Sequence, residues 1–319
     1  MCGQWRRPDS SRGEVLPAGV LLEAFSGLPP GRVKIYLWGG EPLLYPHLEE
    51  LLSGLHRQGH YVVINTNGVL LEKFAPALVS HRVGGVDVSV DGPPEIHDRI
   101  RGMEGTFAAL SAGLERLREL GRTDPSGRLL VKSVTVVSEE NQDCLEETAA
   151  VLAGSGLYDA LIFNLGWFTD AARGEATEKI FRARLDCGST TWQSYVGALG
   201  KIDPARVAAF VEKAAAGGLV RPPIFIVPAL RASQIEGYYR DPRQVFGRGK
   251  CVSPWLQAEI RPDGGLAFCP DFPDYIAGNI RSEPLPRIWN GPRARRFRRV
   301  LRERGLFPIC RRCCGLFSY

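Results

Sequence analysis

Two periods alternate along the first half of the chain. Runs rich in β-branched residues at 33–37, 61–64, 86–90, 129–137 and 160–163 read as strands. Between them, apolar residues recur at helical spacing. Leu48, Leu51, Leu52 and Leu55 follow Pro46, and Phe107, Leu110, Leu114 and Leu117 follow Thr106, so each set predicts a helix with one buried face. Strands alternating with helices imply parallel βα units, whose ligand site lies at the carboxyl ends of the strands. A short helix over 18–25 precedes this series. After Thr169 the rhythm weakens: Asp203-Pro204 opens a helix carrying Val207, Phe210 and Val211, 224–227 offers one more strand, and 238–250 reads as a connector.

The predicted strand ends carry the residues of interest. Tyr36-Leu37-Trp38-Gly39-Gly40-Glu41-Pro42 reads as a buried strand that stops in two glycines, a carboxylate and a proline. The glycines let a ligand approach the main chain, and a carboxylate beside free carbonyls suits a cationic amine, whereas a phosphate would want amide donors and lysine. The same residues also make an ordinary strand-to-helix turn. Asn65 and Asn67, Ser89 and Asp91, then Ser138 and Asn141 end the later strands. Taken singly, Asn67-Gly68 and Asp91-Gly92 are common turn pairs, and Ser138 and Asn141 can cap a helix. Small polar groups after four successive strands together suggest a ligand cradle.

Composition narrows the class. The 319 residues contain no apolar run long enough for a membrane span and no signal-peptide pattern at the N-terminus, which points to the cytoplasm. A net charge of +5 is too mild to imply nucleic acid. The Arg-rich stretch 293–304 places Phe297, Val300 and Leu301 on one face and predicts an amphipathic helix with a solvated basic side. His47, His56 and His60 sit on or near one helix, where exposure is expected, and His97 is the histidine worth testing, with a structural hydrogen bond favoured over catalysis.

Eight cysteines without an export signal favour metal or redox chemistry over disulfides. Cys251 and Cys269 flank a predicted hairpin around Pro262-Asp263-Gly264-Gly265, and Cys310-x-x-Cys313 follows. Four thiolates suit a tetrahedral zinc or an iron-sulfur cluster, and spacing does not choose between them. Cys144 and Cys187 stand apart as unliganded thiols. Absence of a G-x-G-x-x-G after a strand weakens a dehydrogenase reading, and absence of a G-x-S-x-G elbow weakens a hydrolase reading.

Together these residues resemble a radical S-adenosylmethionine (radical SAM) enzyme with a C-terminal SPASM or twitch auxiliary-cluster domain. The resemblance implies an α/β fold, a partial (β/α)6 TIM-like barrel with a small cysteine-rich α+β domain. It divides the chain into a core over 1–168, a helical extension and connector over 169–250, and a cluster domain over 251–319. It implies that Gly39, Gly40, Glu41 and Pro42 bind the SAM amino group, with Asn65, Ser89, Asp91 and Asn141 as further SAM-site residues. The segment from Ser89 to Gly102 is similar to the family's fourth-strand signature. Cys251, Gly264, Cys269, Cys310 and Cys313 resemble the twitch pattern, implying an auxiliary iron-sulfur cluster rather than zinc. A reductant such as flavodoxin or ferredoxin is implied as partner, with a peptide or small molecule as substrate.

The sequence departs from the family at its start. The family holds its catalytic 4Fe-4S cluster through C-x3-C-x2-C, and here Cys2 matches the last cysteine while the other two, with the first barrel strand, would fall before residue 1. Truncation of the gene is the expectation, because decay would have scattered losses over the SAM residues too. The implied chemistry is reductive cleavage of SAM to a 5′-deoxyadenosyl radical and hydrogen abstraction from substrate. The alternative is a non-catalytic relative with one iron-sulfur or zinc site, serving electron transfer or scaffolding.

Overall fold

The computed structural model describes residues 14–122, 129–197, 200–217, 221–269 and 272–317. They form two compact units. One comprises residues 28–165 and 205–232; the other joins 166–204 and 233–319 to the segment ending at Gly27. The second unit includes the first described helix, α1 (Ala18–Ser26).

The larger unit is built on a parallel sheet. Strands β1 (Lys34–Leu37), β2 (Tyr61–Thr66), β3 (Gly85–Ser89), β4 (Leu130–Val136), β5 (Ala160–Asn164) and β6 (Ile224–Val227) lie side by side in sequence order. That order and handed alternation with helices make a partial TIM-like barrel. Helices α2 (Leu48–Arg57), α3 (Leu71–Ser80), α4 (Pro94–Arg101), α5 (Thr106–Arg122) and α6 (Leu145–Gly154) occupy the connections, each starting within two residues of the position its apolar spacing or cap predicts where one was given. Leu51, Leu52, Leu55, Leu110 and Leu114 are all buried, so the predicted faces are the packed ones.

In-register parallel partners share a face of the sheet. One face carries Ile35, Ile64, Val86, Val88, Val131, Leu161 and Phe163, all buried. The opposite face carries Tyr36, Asn65, Asp87, Ser89, Lys132 and Asn164. The expected buried strand at 33–37 is corrected here: β1 is an edge strand in which Ile35 is buried, while Tyr36 and Trp38 are 37% and 38% exposed. An edge strand lacks a neighbour to cover its second side among the described residues. His60, expected at the surface, is buried at the start of β2.

Beyond β5 the chain forms α7 (Ala171–Leu185), then α8 (Pro204–Ala215), α9 (Ala232–Arg240), a three-stranded antiparallel sheet, and the last helices α10 (Leu285–Trp289), α11 (Pro292–Arg304) and α12 (Cys314–Phe317). The small sheet runs β7 (Glu259–Ile260), β8 (Gly265–Ala267) and β9 (Ile276–Asn279), with the turn at 261–264 where the hairpin is expected. Because α8 and β6 belong to the barrel unit, the compact units do not follow the 169–250 extension drawn from the sequence.

The second unit has an aromatic core. Trp167, Trp192, Phe181, Phe268, Tyr275 and Phe297 are buried in one cluster. Arg298 corrects the reading of α11 as solvated on its basic side: it is 8% exposed, its guanidinium lies 4.5 Å from the Phe268 ring centre and 4.4 Å from Trp289, and it donates to the carbonyls of Pro254 and Trp289. Arginine tolerates this because its planar, weakly hydrated head stacks on rings while its N–H groups reach carbonyls. Among the described residues, no helix is long and apolar enough to cross a membrane.

Candidate functional site

At the carboxyl end of β1, Gly39 has φ +138° and a Cβ added at Gly39 or Gly40 would meet nothing within 4 Å. These glycines therefore serve conformation and clearance, not packing. Glu41 follows in extended backbone and caps the short 3-10 turn Pro42–Leu44. Its Oε1 accepts from the Leu43 amide at 3.1 Å and from Thr66 Oγ1 at 2.7 Å, and its Oε2 accepts from the Asn67 amide at 2.8 Å. A carboxylate offers about four acceptor sites. One is used within the β1 loop and two splint that loop to the β2 loop; among the described residues the fourth, on Oε2, is left, which fits one N–H of a cationic amine.

Asn65 and Ser89 stand on the polar face of the sheet, half-buried, with Ser89 Oγ 3.4 Å from Asn65 Oδ1. In register with Asn65, Asp87 is buried between Lys132 Nζ at 2.9 Å and the Tyr36 hydroxyl, which donates at 3.0 Å. Sequence reading passed over this trio because each residue lies inside a strand, where the apolar neighbours dominate the pattern.

The loop after β3 is a lattice of local bonds. Asp91 is buried, and Arg101 pairs with it at 2.7 Å while donating to the Ser89 carbonyl at 3.2 Å. Burial raises the Asp91 pKa and the Arg101 charge opposes that rise. The Asp91 amide donates to His97 Nδ1 at 3.1 Å, and burial pushes the fully enclosed His97 down to about 4, so it is neutral and structural. Asp98 accepts from Thr106 Oγ1 and from the Gly105 and Phe107 amides, and the Thr106 bond leads the causes that hold its carboxyl below the ordinary range. Asn141 is fully buried. It donates to the carbonyls of Asp91 and Val136, at 2.8 and 2.9 Å, and accepts from the Ser138 amide at 2.9 Å. Asp91 and Asn141 thus brace the ends of β3 and β4, whereas Gly39, Gly40, Glu41, Asn65 and Ser89 present open or half-open polar groups.

A family model described as the radical SAM superfamily matches residues 1–152, and one described as an iron-sulfur cluster-binding domain, SPASM, matches 251–314. The chain carries a radical SAM domain followed by a SPASM domain. Similar curated relatives include an AdoMet-dependent heme synthase of Methanosarcina barkeri, 31% identical over 47% of this chain and 41% of its own length. A probable GTP 3′,8-cyclase of Methanococcus maripaludis is 33% identical over 35% of this chain and 38% of its own. The matches to these curated proteins thus span less than half of either partner. Among solved structures, SuiB of Streptococcus suis bound to precursor peptide SuiA superposes with a TM-score of 0.64 at 13% identity, over 93% of this chain and 63% of SuiB. A second, anSMEcpe with bound AdoMet, gives 0.58 at 15% identity, over 92% of this chain and 74% of that one.

Radical SAM and SPASM domains imply a 4Fe-4S cluster, an auxiliary iron-sulfur cluster and SAM. Cys2 lies outside the described residues. In this radical SAM chain Cys310 and Cys313 belong to the aromatic core of the second unit, and Cys251 and Cys269 pack against it. A Cβ built on Gly315 would lie 3.4 Å from Cys313 Sγ and 4.0 Å from Ser253 Oγ, which sets the C-x-x-C turn against the segment that starts at Cys251. Four thiols gathered on one core are the donor chemistry an iron-sulfur cluster uses. Among the described residues, no three His, Cys, Asp or Glu side chains converge to hold a single metal ion. Burial pushes the Cys187 thiol up to about 11 and raises that of Cys144, which sits in the cap before α6 rather than on the helix, so both stay protonated.

Sequence reading missed Thr66, which aims Glu41, and Arg312. Arg312 is 2% exposed inside the C-x-x-C pair, and donates to the carbonyls of Gly237, Tyr238, Asp241 and Gln244. A charged residue in such a motif reads as surface unless its carbonyl partners are visible.

Proposed function

We propose that this protein is a radical SAM enzyme that removes a hydrogen atom from a peptide, with a small metabolite as the other substrate class. The observation that carries the reading is the Gly39-Gly40 turn, open to space, with Glu41 locked beside it and one acceptor left for an amine. Gly39, Gly40 and Glu41 would bind the amino end of SAM, and the Ser89 hydroxyl and Asn65 amide would meet its polar groups from the sheet face. Asp91, Arg101 and Asn141 hold that wall in place. Cys251, Cys269, Cys310 and Cys313 would hold the auxiliary cluster. When bound, the catalytic cluster supplies the electron for reductive cleavage of SAM to methionine and a 5′-deoxyadenosyl radical, with an external reductant as its source. The precursor peptide named with SuiB supports a peptide over a metabolite.

The test is anaerobic expression of the longest in-frame product of the gene, followed by iron, sulfide and 5′-deoxyadenosine measurement. About eight irons per chain, counting four for each of two cubane clusters, with SAM cleavage are expected. About four irons or one zinc without cleavage would replace the catalytic reading with the single-site scaffold.

A further inference from the structure

The second unit contains a basic groove of about 910 Å³. Its rim carries Arg173, Arg184, Arg243, Arg304 and Arg311 against one carboxylate, Glu303. Arg173 pairs with Asp170, Arg184 with Glu303 at 2.6 Å, and Arg243 with Asp241 at 3.2 Å. Arg304 and Arg311 have no carboxylate partner among the described residues. A second, smaller groove shares Arg184 and Glu303 and adds Arg296 and Arg299, which extends the positive strip along α11.

The walls are set before any ligand arrives. Arg312 ties the 237–244 segment to the C-x-x-C turn, and Arg311 donates to the Arg243 carbonyl at 2.7 Å. Gly305, at φ +75°, lets the end of α11 close on the neighbouring loop; a Cβ there would meet the Gly249 carbonyl oxygen at 2.8 Å. The Cys251 amide also reaches the Gly305 carbonyl, at 3.4 Å.

The rest of the lining is largely apolar: Ala172 is exposed, Ala176, Val245, Leu306 and Pro308 are half-buried, and Phe307 is buried. Arginines interspersed with apolar residues match a peptide that alternates carboxylates with apolar side chains. Nucleic acid fits less well, since the one ring in the lining, Phe307, is buried and offers no face for base stacking. The volume exceeds what a single small anion fills and falls within the range that takes several side chains. Arg311 of the C-x-x-C segment lines the groove, as do Leu306, Phe307 and Pro308 just before Cys310 in the chain.

We propose that this groove binds an acidic segment of a peptide substrate, an inference that rests on the peptide reading above. The experiment is fluorescence anisotropy on the full chain with a labelled peptide of alternating glutamate and leucine, a lysine-leucine counterpart and a single-stranded RNA oligomer. The acidic peptide should bind, more weakly as salt rises, and the joint variant Arg304→Glu/Arg311→Glu should weaken it at least about tenfold. Arg116→Glu, on an exposed face of α5, should leave binding unchanged, as should thermal melting of both variants; Arg304→Gln/Arg311→Gln gives a milder charge loss if the reversal unfolds. Undiminished binding by the folded groove variants, no binding of the acidic peptide, or preference for RNA overturns the inference. SAM cleavage without acidic-peptide binding would sink the groove alone, whereas binding without cleavage would sink the enzymatic reading alone.

Discussion

The two units solve the same problem, fixing polar groups inside a folded chain, by opposite means. In the barrel unit the parallel sheet does the ordering: apolar faces bury themselves by period, and polar residues at the strand ends bond to one another across adjacent loops. In the cysteine-bearing unit the strands are two to four residues long, and buried arginines do the ordering, Arg298 over Phe268 and Trp289, Arg312 onto the carbonyls of 237–244. The difference teaches that a long parallel sheet can support a polar site with main-chain register, whereas a small, irregular unit must recruit long side chains as tie rods.

The largest test of that contrast is Arg312→Met. It removes the guanidinium from several buried carbonyls at once, and unsatisfied groups cost about 1–3 kcal/mol each, so a loss of roughly 3 kcal/mol or more is expected in chemical denaturation of the anaerobic protein. An unchanged midpoint would mean that aromatic packing alone holds the unit. Acid probes the barrel unit. Below about pH 6.5 the unfolded chain protonates His97, while the folded chain resists until about pH 4, so stability should fall as pH drops through that window, by up to about 3 kcal/mol. His97→Phe should flatten the profile, and a profile identical to the parent's would remove His97 from the account.

Asp98→Ala tests a single joint of the β3 loop lattice. Loss of a helix cap typically costs about 1 kcal/mol, and the first turn of α5 should exchange its amides faster with little change elsewhere. The smallest effect is expected at Tyr36→Phe, which deletes one hydrogen bond to Asp87, worth about 1 kcal/mol, on the open edge strand; a loss well above that would mean the Asp87–Lys132 pair depends on Tyr36.

Much of the barrel was legible because its signals are periodic. Leu48 through Leu55 and Phe107 through Leu117 report one buried face each, and the β-branched runs set five strands and prompted a sixth. The Gly39-Gly40-Glu41-Pro42 turn was legible as a strand end with open backbone, where Gly39 takes φ +138° and neither glycine packs against a neighbour. Its internal wiring was not, since nothing in the spacing of Glu41 and Thr66 says that one aims the other across two strands. The exposure of β1 did not show in its own residues: a strand reads as buried from its apolar run, yet Tyr36 is exposed because sheet order, a long-range property, leaves β1 without a second neighbour among the described residues. Arginine in the second unit misled for a related reason, because charge predicts exposure only where no ring or carbonyl stands ready to receive the guanidinium.

The clamp at Asn141 has a dynamic counterpart. Its two donated bonds and one accepted bond couple the ends of β3 and β4, so those loops fluctuate as one stiff body, and their amides should exchange slowly. Among the described residues Gly39 and Gly40 show no such tether, and as glycines they have wide dihedral latitude. Opening motion at the mouth is therefore expected to concentrate in the Gly39-Gly40 pair itself, hinged between β1 and the Glu41 splint to Thr66 and Asn67, opposite the wall that Asn141 braces.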